Sequence, residues 1–441
     1  MIKERKGCYL LTLGCPKNEV DSDCLASALE RAGWRMTDSP RDAAVMILNT
    51  CSFIVPAVEE SLESVMELSE LREGGARPLV VTGCLVSRYG GEVLAALLPE
   101  VDLFVGFDDY PHFAGVINAL LDEGGEATGG ALARERASTL DRGYVYLKIS
   151  EGCGRRCAYC AIPSIRGPLC SRTREAIVEE ASFFLGRGAM EVVLIAQDTT
   201  SYGIDIYGRP SLPELLGDLC AVAGDWRLRV MYMHPEGVDA RVLEAMSDPR
   251  ICRYLDLPFQ HVDAGILGVM GRKGSADSHR ELLRKAEEVL GEVALRATFM
   301  TGFPGEDARA FAMLRDFVAA VRFDWLGLFS YSHEEGTPAF SLREGVSTAV
   351  ARKRCAEIAV LQEEIMREKA GEMVGRRMQV LIEGVSAEAP GFWEARSQRE
   401  APEIDGVIFV PCQEDIEAGT LRDVKITASE GIDLIGAIEP R

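Results

Sequence analysis

Tyr144-Val-Tyr-Leu-Lys-Ile149-Ser-Glu151-Gly-Cys153-Gly-Arg-Arg-Cys157-Ala-Tyr159-Cys160 runs a short apolar strand straight into a loop of three cysteines. Delivery of a chemical site by the carboxyl end of a strand is the habit of βα architectures, whose ligands collect along that edge. The spacing CxxxCxxC puts three thiols in one loop, the number needed to hold three irons of a four-iron cluster. Cys170 is the nearby candidate for a fourth ligand, but no proline follows it as in the ferredoxin pattern. A cluster here would therefore leave one iron for a non-protein ligand, as catalytic zinc sites keep a position open. Structural zinc competes for the same thiols, yet it calls for a fourth Cys or His close by, and no His lies between His112 and His234. The third reading is that the three cysteines are unrelated.

Working outward, βα alternation continues on both sides of the loop. Downstream, apolar runs predict strands at Tyr144–Ile149, Val192–Ala196, Leu228–Met233, Tyr254–Leu257, Leu295–Met300 and Leu326–Tyr331, with helices between and a long final helix over Ser347–Met373. Six βα units are too few to close an eight-unit barrel, so residues 143–372 are expected to form an open (βα)6 partial barrel or a split sheet. Upstream, strands are expected at Tyr9–Leu13, Val45–Leu48, Leu79–Val81 and Leu103–Val105. Helical stretches follow them at Glu19–Ala32, Pro56–Leu71, Arg88–Leu98 and Tyr110–Leu121, which makes residues 1–121 a parallel-sheet α/β domain. Residues 122–142 are polar and Gly-rich and read as a linker. The tail, 373–441, changes to short alternating runs (Met378–Ile382, Val407–Val410, Val424–Ile426), a small all-β domain.

The N-terminal strands carry a second set of cysteines. Cys15 ends Leu-Thr-Leu-Gly-Cys15, Cys51 ends Ile-Leu-Asn-Thr-Cys51 and Cys84 ends Val-Val-Thr-Gly-Cys84. In a parallel sheet these three positions share the carboxyl edge, so residues far apart in sequence converge. A small buried thiol at a strand end is the bland alternative. The same placement in three successive βα units favours a second metal site, again with three ligands. Cys8, Cys24, Cys220, Cys252, Cys355 and Cys412 sit in apolar or helical surroundings and read as packing residues.

Composition bounds the setting. The chain has 441 residues, 47% of them hydrophobic, with thirteen cysteines and 48 basic against 69 acidic side chains, a formal charge of −21. The length allows about three domains with real cores. The first apolar stretch is about seven residues, too short for a secretory h-region, and no run approaches the roughly 18 apolar residues of a membrane helix. A reducing, cytoplasmic setting is expected, in which clustered cysteines are metal ligands rather than disulfides. The excess of acid disfavours nucleic acid and anionic membrane and suits a basic partner.

The loop Cys153-Gly-Arg-Arg-Cys157-Ala-Tyr159-Cys160 resembles that of the radical S-adenosylmethionine superfamily, CxxxCxΦC, with Tyr159 in the aromatic place. With the second triad and the β-rich tail, nearly the whole chain resembles the methylthiotransferases of that superfamily, in their domain order: cluster-binding N-terminal domain, radical domain, TRAM-like β domain. The resemblance implies two four-iron four-sulfur clusters and S-adenosylmethionine as cofactors. It assigns Cys153, Cys157 and Cys160 to the radical cluster and Cys15, Cys51 and Cys84 to an auxiliary one. In that family the first cluster, reduced by an external electron donor, cleaves S-adenosylmethionine to a 5′-deoxyadenosyl radical that takes a hydrogen from carbon. The auxiliary cluster carries the inserted sulfur, and a second S-adenosylmethionine supplies the methyl group. Polar residues after predicted strands fit a cofactor cradle: Gln197-Asp198, His234-Pro235, Gln260-His261 and Thr301-Gly302-Phe-Pro-Gly305-Glu306. Gly302 and Gly305 would admit close backbone approach to the adenosine, although strand-end polar residues are often only helix caps. Arg166 and Arg172 are placed to pair with a carboxylate of cofactor or substrate, or with one of the chain's own.

Within the family, one branch modifies an aspartate of the small-subunit ribosomal protein uS12 and another an adenosine in tRNA. Gly14-Cys-Pro-Lys-Asn-Glu-Val-Asp-Ser22, Ile149-Ser-Glu-Gly-Cys153, Cys160-Ala-Ile-Pro-Ser-Ile-Arg-Gly167 and Ala401-Pro-Glu-Ile-Asp-Gly406 resemble the protein-modifying branch. The Gln-Met-Asn and Tyr-Thr-Arg-Gly strings typical of the tRNA branch are absent. Charge argues the same way. Residues 1–121 carry −8, 122–372 carry −7 and 373–441 carry −6, whereas a module that grips RNA needs Lys and Arg for phosphate. A non-catalytic iron–sulfur electron carrier is the alternative from another class, but a pure carrier is better served by four-cysteine ligation.

Overall fold

The computed structural model describes residues 6–72, 74, 76–121, 134–342, 345–412 and 416–438. It divides into two compact units, one of residues 1–138 and 160–168, the other of residues 139–159 and 169–441. Among the described residues no helix is long and apolar enough to cross a membrane.

The first unit is built on five strands, β1 (Gly7–Thr12), β2 (Arg35–Met36), β3 (Val45–Thr50), β4 (Leu79–Gly83) and β5 (Leu103–Val105), in the order β2-β1-β3-β4-β5. All four pairings are parallel. The helices are α1 (Pro16–Arg31), α2 (Val55–Glu70), α3 (Cys84–Tyr89), α4 (Gly91–Leu97), α5 (Phe113–Leu120) and, from the 160–168 segment, α6 (Ile162–Arg166). Alternate residues of β3 feed two cores. Val45 and Ile47 pack with Leu25, Leu29, Phe113 and Ile117 of α1 and α5; Met46 and Leu48 pack with Val65, Leu68, Leu85 and Leu94 of α2, α3 and α4. Continuous apolar strands covered on both faces are what a buried parallel sheet demands. Each such side chain contributes roughly 1.5–3 kcal/mol.

One expectation changes here. The helix expected over Arg88–Leu98 is two helices broken at Gly90, whose φ of +82° no helix accommodates. The linker expected over 122–142 lies outside the described residues from 122 to 133. Its remainder is structured: Glu135 N donates to Ser27 Oγ (3.1 Å) and Ser138 N to Asp23 Oδ1 (3.0 Å), which lays it along α1.

In the second unit the six expected strands form two three-stranded parallel sheets. One contains β6 (Tyr144–Lys148), β9 (Glu191–Ile195) and β10 (Arg227–Val230); the other contains β11 (Tyr254–Gln260), β12 (Ala294–Thr301) and β13 (Trp325–Ser330). A bridge between Leu228 and Ile251 links β10 to the segment that leads into β11. The pair β7 (Ser150–Glu151) and β8 (Cys170–Ser171) is antiparallel and frames the ends of the cysteine-loop region. The long helix Thr348–Glu372 leads to a closed barrel of β14 (Arg377–Val385), β15 (Phe392–Arg396), β16 (Ile408–Pro411), β18 (Asp433–Ile438) and β17 (Thr420–Glu430), in that spatial order. Val380, Ile382, Val410, Val424 and Ile426 fill it, with Ala370 and Met373 at its base.

A buried ion network ties the barrel to the strands of this unit. Glu191, fully buried at the start of β9, receives Arg227 Nε (2.6 Å), Arg229 Nε (2.7 Å) and Arg396 Nη1 (3.2 Å). Arg396 also pairs with Glu383 of β14 (2.5 Å), and Arg229 donates to the carbonyls of Ser397 and Gln398. Burial works to raise the Glu191 carboxyl, but the three guanidinium groups outweigh it and hold the group well below the usual carboxylate range.

Candidate metal centres

The order β2-β1-β3-β4-β5 reverses direction between β1 and β3, and ligands bind outside the carboxyl ends of strands at such a switch point. Cys15 and Cys51 follow the two strands that flank it, and Cys84 follows β4. Cys15 is the N-cap of α1, and its carbonyl accepts Asn18 N (2.8 Å). Cys51 is clasped by Ser61 of α2, whose Oγ receives the Cys51 N–H (3.2 Å) and donates to its carbonyl (2.7 Å). Cys84 opens α3. Gly14, at φ +97°, draws the Cys15 turn so close to Cys51 that a Cβ on it would stand 2.7 Å from Cys51 Cβ and 3.0 Å from Sγ. Gly83, at φ +93°, does the same for β4: its Cβ would lie 2.3 Å from Asn49 Oδ1.

The three thiols also interact electrostatically. Burial pushes the Cys84 thiol up to about 11, against Arg166 and with Cys51 and Cys15 adding to the rise. Burial raises Cys51 too, with Cys15 contributing. Thiols held protonated in this way release protons when metal binds, which couples loading to pH. Asn18 organises the edge: its Nδ2 donates to Leu13 O (2.8 Å) and Thr50 O (2.9 Å), and Cys84 Sγ lies 3.7 Å from its Oδ1.

In the second unit, Cys153 and Cys157 lie in the loop after β7, and Cys160 opens the segment grouped with the first unit. Burial raises the Cys153 thiol. The loop is pinned at several points. Ala158 N donates to Met270 O (2.8 Å) and Ala158 O accepts from Ala339 N (2.8 Å). Gly271, at φ +72°, leaves room for Arg156 O, which would be 2.7 Å from a Cβ there. Tyr159 packs edge-on to Phe303, and its hydroxyl receives Arg272 Nη1 (3.1 Å). Arg272 is itself buried, donates to Pro258 O (2.7 Å) and reaches Cys157 Sγ at 4.0 Å.

The other expected cradle residues divide. Gln197 donates to Glu151 Oε1 (2.6 Å), which also ties the rim to the loop's first turn. Asp198 is committed to Arg155 Nε (2.8 Å), Thr200 N (3.0 Å) and Ser201 Oγ (2.5 Å), so it anchors the cysteine loop and caps its own turn. Arg172 pairs with Glu180 (2.6 Å) and donates to Lys148 O (3.0 Å). The close approach at Gly302 is to the long helix, since its Cβ would meet Ala351 Cβ at 2.2 Å; at Gly305 the nearest neighbour, Ile266, is at ordinary contact distance. Arg166 is placed on one of the chain's own carboxylates, Asp21 (2.6 Å), in the first unit. Of the cysteines expected to pack, Cys8 and Cys252 are buried, whereas Cys412 is exposed, as is Cys170.

Tyr232 and Tyr331, which the sequence reading missed, join Gln197, His234 and Gln260 on the same rim. Tyr232 and Gln260, just after β10 and at the end of β11, hold positive φ values of 58° and 70°, uncommon for non-glycine residues and concentrated at functional sites. Gln197 Oε1, His234 Nε2, Gln260 Oε1 and Tyr331 OH are buried without a hydrogen-bond partner, an arrangement that fits a polar ligand held at the carboxyl ends of β9, β10, β11 and β13. The Glu306 carboxylate is buried between Arg354 (2.6 Å), Gly302 N (3.0 Å) and His261 Nε2 (3.4 Å). Among the described residues no three His, Cys, Asp or Glu side chains stand close enough to hold one metal ion.

Residues 7–106 match the uncharacterized protein family UPF0004, 147–318 the radical SAM superfamily and 374–438 the TRAM domain. Those three parts define a radical S-adenosylmethionine enzyme. The ribosomal protein uS12 methylthiotransferase RimO of Heliobacterium modesticaldum is 41% identical, covering 97% of this chain and 94% of its own. Those of Syntrophus aciditrophicus (40%, 98% of each chain) and Lachnoclostridium phytofermentans (38%, 98% and 99%) are similarly related. The chain belongs to the RimO family of methylthiotransferases. The radical S-adenosylmethionine methyltransferase TsrM from Kitasatospora setae shares the fold at a TM-score of 0.57 and 14% identity, covering 82% of this chain and 89% of its own.

Proposed function

We propose that this enzyme methylthiolates the β-carbon of an aspartate in the small-subunit ribosomal protein uS12. The observation that carries the reading is the second cysteine triad, set at the switch point of the N-terminal sheet, in a chain related to the uS12 methylthiotransferases over nearly its full length. When bound, the two four-iron four-sulfur clusters and S-adenosylmethionine supply one-electron cleavage chemistry, the inserted sulfur and the methyl group. Cys153, Cys157 and Cys160 hold one cluster, and Cys15, Cys51 and Cys84 hold the other. Arg155 on Asp198 and Arg272 on Tyr159 and Cys157 keep the loop in shape. Gln197, His234, Gln260 and Tyr331 present polar atoms to S-adenosylmethionine, with Gly302 and Gly305 shaping the wall beside them.

The substrate protein is basic, and the acidic β-barrel (residues 373–441, charge −6) is its docking module. The domain limits 1–121, 143–372 and 373–441, a cytoplasmic setting and an external electron donor belong to the same reading. Incubating anaerobically reconstituted enzyme with S-adenosylmethionine, a reductant and either uS12 or tRNA, followed by mass analysis, tests it. A methylthio addition on uS12 is expected. Addition to tRNA alone would overturn the substrate assignment, and S-adenosylmethionine left uncleaved would overturn the chemistry.

A further inference from the structure

Arg166 ends the five-residue helix α6, six positions after the last cysteine of the CxxxCxxC loop, yet its side chain is spent on the other cysteine set. The guanidinium is almost wholly buried within the first unit. Nη1 pairs with Asp21 Oδ2 of α1 at 2.6 Å. Nη2 donates to Asn18 Oδ1 and reaches Cys84 Sγ at 3.3 Å. Its face is covered by the Phe107 ring, 4.1 Å from the ring centroid. Ala161 and Ile165 of the same segment pack with Cys84 and Phe107, and Ser87 Oγ holds Ile165 O at 2.5 Å.

From this geometry we infer that Arg166 is the positioning and charge-balancing residue of the N-terminal three-cysteine centre, and that with Asp21 it sets the reduction potential of the cluster held there. The inference rests on the proposal that Cys15, Cys51 and Cys84 carry a cluster. Three thiolates around a cubane leave the site with net negative charge, and one-electron reduction adds another unit in a region of low dielectric. A fixed cation beside Cys84 stabilises the reduced form more than the oxidised one and so raises the potential; hydrogen bonding to the sulfurs acts in the same direction. The Asp21 carboxylate offsets part of that positive charge. The pair therefore works as two opposed adjustments on one centre. Because Arg166 is carried by the segment that continues from Cys160, the loop of the first cysteine set also supplies the charge of the second.

The test uses the full chain with Cys153→Ala, Cys157→Ala and Cys160→Ala combined, so that a single centre remains, reconstituted anaerobically and titrated by redox-monitored electron paramagnetic resonance. Arg166→Gln is expected to lower the potential by about 59 mV, an about tenfold shift in the ratio of oxidised to reduced cluster for one electron. Arg166→Lys, which keeps the charge, should restore most of that shift, and Asp21→Asn should move the potential the opposite way. A purely structural role would not give shifts of opposite sign. Unchanged potentials in Arg166→Gln and Asp21→Asn, with full iron content, overturn the inference and leave the cluster assignment intact. If Arg166→Gln fails to retain iron, Asp21→Asn decides alone: a rise supports the inference, and no rise overturns it. An absence of iron in the triple-cysteine background itself refutes the cluster assignment, and with it the inference.

Discussion

At the scale of single residues, two glycines with similar backbone angles do different work. Gly14 (φ +97°) gives up its Cβ so that the Cys15 turn can lie against Cys51, and Gly302 (φ +80°) gives up its own to Ala351 of the long helix. An alanine at either position incurs roughly 1–2 kcal/mol of left-handed strain, but the displaced neighbour differs. Gly14→Ala must push the Cys51 side chain out of place, and the expected result is loss of one cluster. Iron should fall from roughly eight to roughly four atoms per chain, while S-adenosylmethionine cleavage by the other cluster survives. Gly302→Ala should leave iron content unchanged and lower stability by about 1–3 kcal/mol through overpacking against the helix, measured by denaturant unfolding. If both variants lost iron alike, the local account of Gly14 would be wrong. The cysteines that Gly14 serves are legible in the sequence from spacing and strand-end position alone. Their partners are not. Arg166 meets Asp21 across 145 residues and Arg272 meets Cys157 across 115, and no local pattern encodes a contact of that range.

Among the elements, legibility followed apolar content. The six strands of the second unit are runs of Val, Leu, Ile and aromatic residues, and each stands where such a run predicts, within a few residues. The exception is β18, whose Asp-Leu-Ile-Gly-Ala-Ile carries the signal and yet went unseen; the other unseen strands carry little of it. β2 is two residues, β7 and β8 are two each, and β15 reads Phe-Trp-Glu-Ala-Arg, whose two charged residues interrupt the apolar pattern. Arg396, the last residue of β15, is the clearest case: a guanidinium at a strand end reads as surface, yet it lies in the network around Glu191. That network yields a prediction. Glu191→Gln removes the shared carboxylate from three arginines and leaves buried positive charge uncompensated, which should cost about 3–5 kcal/mol. Because the folded-state value of Glu191 is depressed, its contribution is fully present above the unfolded carboxylate range near pH 4.3 and is lost as pH falls below it. Unfolding at pH 7 should therefore reveal the full loss. A change of less than about 1 kcal/mol would mean that the strands and the barrel do not depend on this network.

For the molecule as a whole, the charge of −21 and the buried histidines pull stability in opposite directions as the solution is acidified. Self-repulsion among excess carboxylates weakens on mild acidification, which alone would stabilise the fold. His234 and His279 oppose it. Burial, helped by Arg272 and Arg155, lowers His234 to about 3. Burial lowers His279 to about 4, against a hydrogen bond with the His261 backbone that raises it; the ring lies 4.3 Å from that of Phe259, tilted by 40°. Both are neutral in the folded protein down to those values, whereas in the unfolded chain each takes up a proton near pH 6.5. The unfolded state thus binds more protons throughout the window between about 4 and 6.5, and stability must fall with pH there. Going from pH 7.5 to 5.5, each histidine removes about 1.4 kcal/mol, so the pair removes about 2.7 kcal/mol. Denaturant unfolding at the two pH values reads this loss net of the relief of carboxylate repulsion. In His279→Gln, whose amide keeps a polar group beside the aromatic ring without titrating, the loss between the two pH values should shrink by about 1.4 kcal/mol, whatever the variant's absolute stability. If the difference stays at its full size in that variant, His279 is not neutral in the fold; if the wild-type protein gains stability at pH 5.5, relief of the −21 outweighs both buried rings.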